Sequence, residues 1–194
     1  MPDRARATLR LMQLAVPTLD DGVVRLRPPE SGDVDPVFAY CNDPEAARFT
    51  TLPWPYERRH AVEWIEESTR CWADGARASF VVVDVASGDL VGSIGLVRLD
   101  RDADVAEVGY LVKRDARGRG VAPRAVRLVT DWVLRDLGFA RLELQTDVRN
   151  HASQRVAEKA GFTREGEVEP PERCRDRSDR MVMFSLGPGD LDAR

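Results

Sequence analysis

The chain has little of what metal or disulfide chemistry requires. Its 194 residues hold two histidines, His60 and His151, and three cysteines, Cys41, Cys71 and Cys174. The cysteines are odd in number, widely spaced and without a CxxC pair, so neither a disulfide framework nor a structural zinc site follows. Two imidazoles are too few for a histidine-rich metal centre. No apolar run approaches the roughly 20 residues that span a bilayer. The first twenty residues also lack the continuous apolar stretch and small-residue cleavage pattern of a secretory signal. A reducing, cytoplasmic setting with no membrane contact is therefore expected. Positive charge is not in excess: 29 Lys and Arg stand against 33 Asp and Glu, a net charge of −4. That balance argues against a wholesale nucleic-acid binder and still permits a local basic site.

What is present describes one α+β domain. Hydrophobic content of 43% and charged content of 32% suit a globular protein, and the length suits a single core. Residues 22–187 are expected to form the domain. Residues 1–21 would be an N-terminal extension, in which Arg10, Leu11, Leu14 and Val16 make a short helix or stay mobile, and 188–194 a C-terminal tail. Val23–Arg27 alternates like a strand. Asp35-Pro36 places a capping carboxylate before a first-turn proline, with Val37, Phe38 and Cys41 on one helical face. Ala61, Trp64, Ile65, Ser68 and Trp72 recur at the spacing of an amphipathic helix. Ser79–Asp84, Asp89–Leu99 and Asp104–Val112 read as an antiparallel meander. A helix after Gly120, with Ala125, Leu128, Val129 and Trp132 on its buried stripe, crosses to a parallel strand at Leu142–Thr146. A shorter helix runs from an Asn150 cap to Gly161. Strands near Thr163–Val168 and Arg180–Leu186 complete the sheet.

The most informative segment is Arg117-Gly-Arg-Gly120-Val-Ala122, at the junction of a strand and a helix. Glycines let several backbone N–H groups converge on one anion. The first N–H groups of the following helix are unpaired, and its dipole favours negative charge there. Lys113, Arg114, Arg117, Arg119, Arg124 and Arg127 against Asp115 concentrate positive charge in an acidic chain. The glycines make neither a P-loop nor GxGxxG, so a solvated basic turn and a phosphate cradle are both open on these residues alone.

The segment resembles the Arg/Gln-x-x-Gly-x-Gly/Ala signature of the GNAT acetyltransferase superfamily, with Arg117, Gly120 and Ala122 in place. Arg25-Leu-Arg27, Glu107-Val-Gly-Tyr110 and Asn150…Ser153…Glu158-Lys-Ala-Gly-Phe162 look like its RimJ/RimL branch, over roughly residues 22–187. The resemblance implies a GNAT fold, mostly antiparallel, with its central sheet splayed at the cofactor site and flanked by helices. It implies acetyl-CoA as cofactor. The pyrophosphate would be held by backbone amides of Arg117, Gly118, Arg119, Gly120, Val121 and Ala122. Pantetheine would pair with main-chain groups near Leu111 and Val112, as an added strand does. Asn150 and Ser153 would contact the cofactor from the second helix. Asn150 also reads as a plain N-cap, and Ser153 as a helix-terminal hydrogen-bonding residue.

Acyl transfer to an amine needs a neutral nucleophile, a stabilised oxyanion and a proton for the departing thiolate. A free α-amine, with pKa near ~8, is about a tenth neutral at pH 7 and demands less of a base than lysine. Glu107 resembles the catalytic glutamate of the family; a salt-bridged strand carboxylate is the other reading. The tyrosine that many GNAT enzymes place before the Glu-Lys of the second helix is Ala157 here. Ser153 is then the candidate proton donor, and Tyr110 a polar residue otherwise read as strand packing. A main-chain N–H near Leu111 or Val112 would meet the oxyanion. With no cysteine in these motifs, direct attack is favoured over an acyl-cysteine.

Trp54, Tyr56 and Trp64 are candidates to line the acceptor's path, although helical spacing favours Trp64 as a core residue. Glu165, Glu167, Glu169 and Glu172 would attract a cationic amine or form an exposed charge run. Arg173, Arg175, Arg177 and Arg180 would grip phosphates, bind an acidic partner or be solvated. Acceptors consistent with the pattern are a protein N-terminus, a small-molecule amine or a polyamine. A catalytically silent acyl-CoA-binding module and an anionic-polymer binder are the competing accounts. Nucleic acid is disfavoured by charge, and a homodimer is left open.

Overall fold

Alternating burial makes strands of the expected segments. The computed structural model describes residues 17–73, 75–174, 178 and 180–193; the residues considered for an appended N-terminal helix lie outside them. In β2 (Val24–Arg27) Val24 and Leu26 are buried and Arg25 is exposed. A two-residue strand, β1 (Leu19–Asp20), pairs with it, so the sheet starts ahead of residue 22.

Three helices follow: α1 (Val34–Cys41), α2 (Pro44–Phe49) and α3 (Arg58–Ala73). The cap of α1 is Asp33, two residues before the Asp35 expected from sequence. Asp33 is buried, and its carboxylate accepts both Arg27 guanidinium nitrogens at 2.7 Å and the Glu30 N–H at 2.8 Å. Asp35 instead ion-pairs with Arg58 at the surface. The α2 cap is conventional: Asp43 accepts from the Glu45 N–H, with Pro44 in the first turn.

The meander is β3 (Ala78–Asp84), β4 (Leu90–Asp100) and β5 (Val105–Val112). Then come α4 (Val121–Asp131), a π turn at Trp132–Asp136, β6 (Arg141–Asp147), α5 (His151–Ala160), β7 (Thr163–Val168) and β8 (Met181–Leu186). The eight strands lie in the order β1-β2-β3-β4-β5-β6-β8-β7, and every neighbouring pair is antiparallel except β5 and β6. That single parallel pair is why a helix must cross between them.

The larger core joins Leu26, Phe80, Leu96 and Val108 of the strands to Ala125, Val126 and Val129 of α4. Each of these Leu, Val and Phe side chains contributes about 1.5–3 kcal/mol of burial. Trp132 stacks on Trp72 of α3 at 5.6 Å and meets Phe80 edge-on at 5.4 Å. A second cluster, Val37, Tyr40 and Cys41 of α1 with Tyr56, Ala61 and Ile65, covers the other part of the sheet. Residues 188–193, expected as a tail, form a 3-10 segment whose Leu191 is buried in the larger core. No helix among the described residues is long and apolar enough to cross a membrane.

Gly95 and Gly109 face each other across β4 and β5. A Cβ on Gly95 would stand 2.3 Å from the Ala78 carbonyl oxygen, so only a bare backbone permits the observed spacing of β3 and β4. Gly95→Ala should lower stability by about 1–3 kcal/mol through overpacking, read as a reduced urea midpoint with an unchanged m-value. At the other edge Glu165 accepts from Arg141 and from Ser185, each at 2.6 Å. These donors, Arg141 first, hold its carboxyl at about 2, below the usual 4.5. The stabilisation is therefore complete above pH 4.5 and is lost as pH falls towards 2. For this half-exposed pair Glu165→Gln should cost up to about 1 kcal/mol at pH 6. Denaturation at stepped pH should show the gap to the unaltered protein closing below pH 4.5.

Candidate active site

The functional geometry begins where β5 and β6 part. Their parallel register runs Val105 with Arg141, Ala106 with Leu142 and Glu107 with Glu143, and ends there, although β5 continues to Val112 and β6 to Asp147. Arg98 of β4 stands opposite Glu107 and ties the closed end: it donates to Glu143 at 2.7 Å and lies 3.7 Å from the Glu107 carboxylate. Beyond this point a cavity of about 620 Å³ opens, lined by both strands, by the Arg117–Pro123 segment and by the start of α5.

The open strand edge has a definite polarity. Lys113 donates its N–H to Val91 of β4, and the Leu111 carbonyl lies against Gly92, where a Cβ would be 2.3 Å from it. Strand groups alternate in direction, so Leu111 presents its main chain to β4. Val112 and Tyr110 turn theirs to the gap. Of the two main-chain positions expected to face a ligand, Val112 has its N–H on the open side, whereas the main chain of Leu111 is turned to β4; both residues line the cavity. The Val112 carbonyl accepts from Arg117 Nε at 3.1 Å.

The glycine segment closes one end of the cavity. Gly118 and Gly120 take φ of +77° and +81°, the left-handed region that disfavours a side chain. Gly120 is the N-cap of α4 and supplies no side-chain hydrogen bond, so the first amides of α4 point out uncapped. The arginines here behave differently from the expected cationic cluster. Arg117 ion-pairs with Asp43 at 2.5 Å and Glu45 at 2.8 Å; Arg119 meets Asp84 at 3.2 Å and Arg124 meets Asp21 at 2.8 Å. Arg127 donates to the Lys159 carbonyl. The local cationic surplus is thus offset by carboxylates distant in sequence, which leaves the uncapped backbone amides as the free polar groups of this segment. An uncapped helix N-terminus, two left-handed glycines and an open strand edge in one cavity fit a diphosphate with an amide-bearing arm.

Asn150 caps α5, its side-chain oxygen accepting from the Ser153 N–H at 3.1 Å. Tyr110 reaches across from β5 and donates to Ser153 Oγ at 2.9 Å. Both residues line the cavity. Tyr110 is packed against the core as expected, and burial pushes its hydroxyl up to about 12. Ala157, where a tyrosine was sought, is fully buried.

Glu107 is 3% exposed, lines the same cavity and lies 3.7 Å from Arg98, so the salt-bridged strand carboxylate expected as one reading faces the cavity. Leading away from it are Gly109 and Gly95, Ser93, and a wall of Tyr40, Cys41, Tyr56 and Trp64. Burial pushes the Cys41 thiol up to about 12. Tyr40, Cys41 and Ser93 were not singled out from sequence, because their helical and strand spacing reads as core. Trp54, expected near this wall, is half-exposed and absent from the cavity lining. Glu165 and Glu167 are taken up by Arg141 and Arg180 across the β6–β8–β7 edge. Arg175 and Arg177 lie outside the described residues. Those residues hold no cluster of three or more His, Cys, Asp or Glu suited to a metal.

Comparison with known proteins agrees with this geometry. The family model described as an acetyltransferase (GNAT) domain matches residues 24–163. An uncharacterized N-acetyltransferase, p20 of Bacillus licheniformis, is 26% identical over 161 residues, covering 83% of this chain and 90% of its own. The spermidine N(1)-acetyltransferase of Escherichia coli K12 is 29% identical over 145 residues, 75% of each chain. A solved structure of RimL, the ribosomal L7/L12 alpha-N-protein acetyltransferase in complex with coenzyme A, superposes with a TM-score of 0.78. It is 16% identical, with 91% of this chain and 100% of that one covered. The chain belongs to the GNAT family of acetyl-CoA-dependent N-acetyltransferases.

Proposed function

We propose that the domain built on β1–β8, reaching from Leu19 to Leu191, is a RimJ/RimL-like acetyltransferase that transfers an acetyl group to a primary amine by direct attack in a ternary complex. The observation that carries this reading is the fork at Glu107 and Glu143, which sets an open strand edge beside the uncapped start of α4. Acetyl-CoA would supply the activated acyl group. Amides of Gly118–Ala122 bind its diphosphate, the Val112 edge pairs with its pantetheine arm, and Asn150 and Ser153 approach it from α5. The Val112 N–H, on the open side of β5, would meet the developing oxyanion.

Glu107 takes a proton from the amine, and Arg98 lies 3.7 Å from its carboxylate. Ser153 supplies the proton for the departing sulfur. Cys41 is a poor nucleophile, because a thiol pushed up to about 12 is protonated at neutral pH. The acceptor enters along the Tyr40–Tyr56–Trp64 wall. An α-amine of a protein N-terminus is the first choice, supported by the likeness to RimL and by the small demand an α-amine places on a base. A small-molecule amine is the second, supported by the spermidine acetyltransferase relative.

Thiol release from acetyl-CoA over a panel of N-terminal peptides, polyamines and small amines tests the assignment. The best acceptor should turn over at least ~100-fold faster with the unaltered protein than with Glu107→Gln, the lower end of general-base effects. The variant should keep its acetyl-CoA affinity. Equal rates for the two proteins across pH 6–9 would remove Glu107 from the mechanism, and no release with any amine would favour a silent binding module.

A further inference from the structure

The hydroxyl of Tyr110 and that of Ser153 are brought together from elements 43 residues apart in sequence, 2.9 Å from one another. We infer that Tyr110 is a positioning residue for the proton donor: it fills the acceptor side of Ser153 Oγ, so the serine's own proton is aimed at the sulfur of the thioester. The inference rests on the reading of Ser153 as that donor.

Three observations support it. First, Ser153 is fixed at both ends, its N–H by the Asn150 side chain at 3.1 Å and its oxygen by Tyr110. A hydroxyl that accepts one strong hydrogen bond donates more strongly through its remaining proton, because the two bonds polarise each other. Secondly, a phenol is the more acidic partner of such a pair and hence the better donor, which sets the direction of the bond. Burial keeps Tyr110 protonated well above neutral pH, so it remains a donor throughout turnover. Thirdly, the residue filling the position of the missing helix tyrosine is Ala157, fully buried. Tyr110 returns a phenol to this region from the strand side, beyond the fork at Glu107 where β5 has left β6.

The proton balance closes without another reactant. As the carbon–sulfur bond breaks, its electron pair stays on sulfur and Ser153 gives that sulfur its proton. Tyr110 passes a proton to the serine oxygen along the shared hydrogen bond as the serine's own leaves, so no alkoxide forms. The amine proton passes to Glu107, and solvent returns one to Tyr110 and removes one from Glu107 after product leaves.

The test uses free coenzyme A as probe and needs no acceptor. Binding beside the hydroxyl pair should stabilise the thiolate, whose ultraviolet absorbance can be titrated against pH, with protein lacking the probe as blank. Arg155 and Lys159 of α5 also line the cavity, and they are unchanged in every variant, so their field cancels in the comparison. Tyr110→Phe keeps the ring and removes the bond. It should raise the bound thiol's titration midpoint by about one pH unit, tenfold in acidity, for a lost hydrogen bond to a charge-bearing centre. Ser153→Ala should raise it equally, the double variant no further, and Ser153→Thr, which keeps the hydroxyl, should match the unaltered protein. A normal midpoint in Tyr110→Phe alongside a shifted one in Ser153→Ala would overturn the inference and leave Ser153 as donor. Additive shifts would show that Tyr110 acts independently of Ser153, and would overturn it too. Failure of the unaltered protein to bind coenzyme A would remove the parent reading and this inference together.

Discussion

The parting of β5 from β6 is the constraint on which the rest of the site depends. Two parallel strands that stayed paired would satisfy each other's amides and leave no edge for a ligand. Here they pair for one short register, held at its end by Arg98 between Glu107 and Glu143, and then diverge. Three ionisable side chains at that junction include two that are largely buried, an arrangement that costs desolvation and is tolerated only where the charges meet one another. The junction also places the candidate base at the base of the cavity, on the opposite side of β5 from Tyr110.

A second feature is how the glycine segment keeps its amides available. Positive charge concentrated in sequence does not produce a field of free guanidinium groups, because Asp43, Glu45, Asp84 and Asp21 arrive from other elements to meet it. Arg117 in particular ties the loop to α2 and to the end of β5. These contacts hold the segment against both elements. On the proposed reading the diphosphate meets oriented backbone groups, which need no reorganisation when charge arrives.

Much of this was legible from local pattern. The order of strands and helices followed from alternation and helical spacing, and Asn150 and Gly161 bounded α5 because caps are local chemistry. The glycine segment was legible for the same reason, since left-handed backbone at Gly118 and Gly120 is a property of the residue itself. Contacts between distant residues were not legible. Nothing near Arg117 announces Asp43, and nothing in Glu107-Val-Gly-Tyr110 announces Ser153. The Asp33 cap was missed because Asp35-Pro36 has the better local signature, while burial and Arg27 select Asp33. The acidic run at Glu165 read as an exposed charge run or a lure for an amine, and neither reading announces that β6 brings Arg141 beside Glu165.

The most direct test of the account replaces Ala122, in the first turn of α4, by aspartate. A carboxylate there favours the helix dipole and so should not harm the fold, but it faces the amides assigned to the diphosphate. Calorimetric titration with acetyl-CoA should give clear binding to the unaltered protein and at least ~100-fold weaker binding to Ala122→Asp, the scale of roughly 3 kcal/mol. Equal affinity in the two proteins, with both folded, would contradict the claim that the start of α4 holds the cofactor.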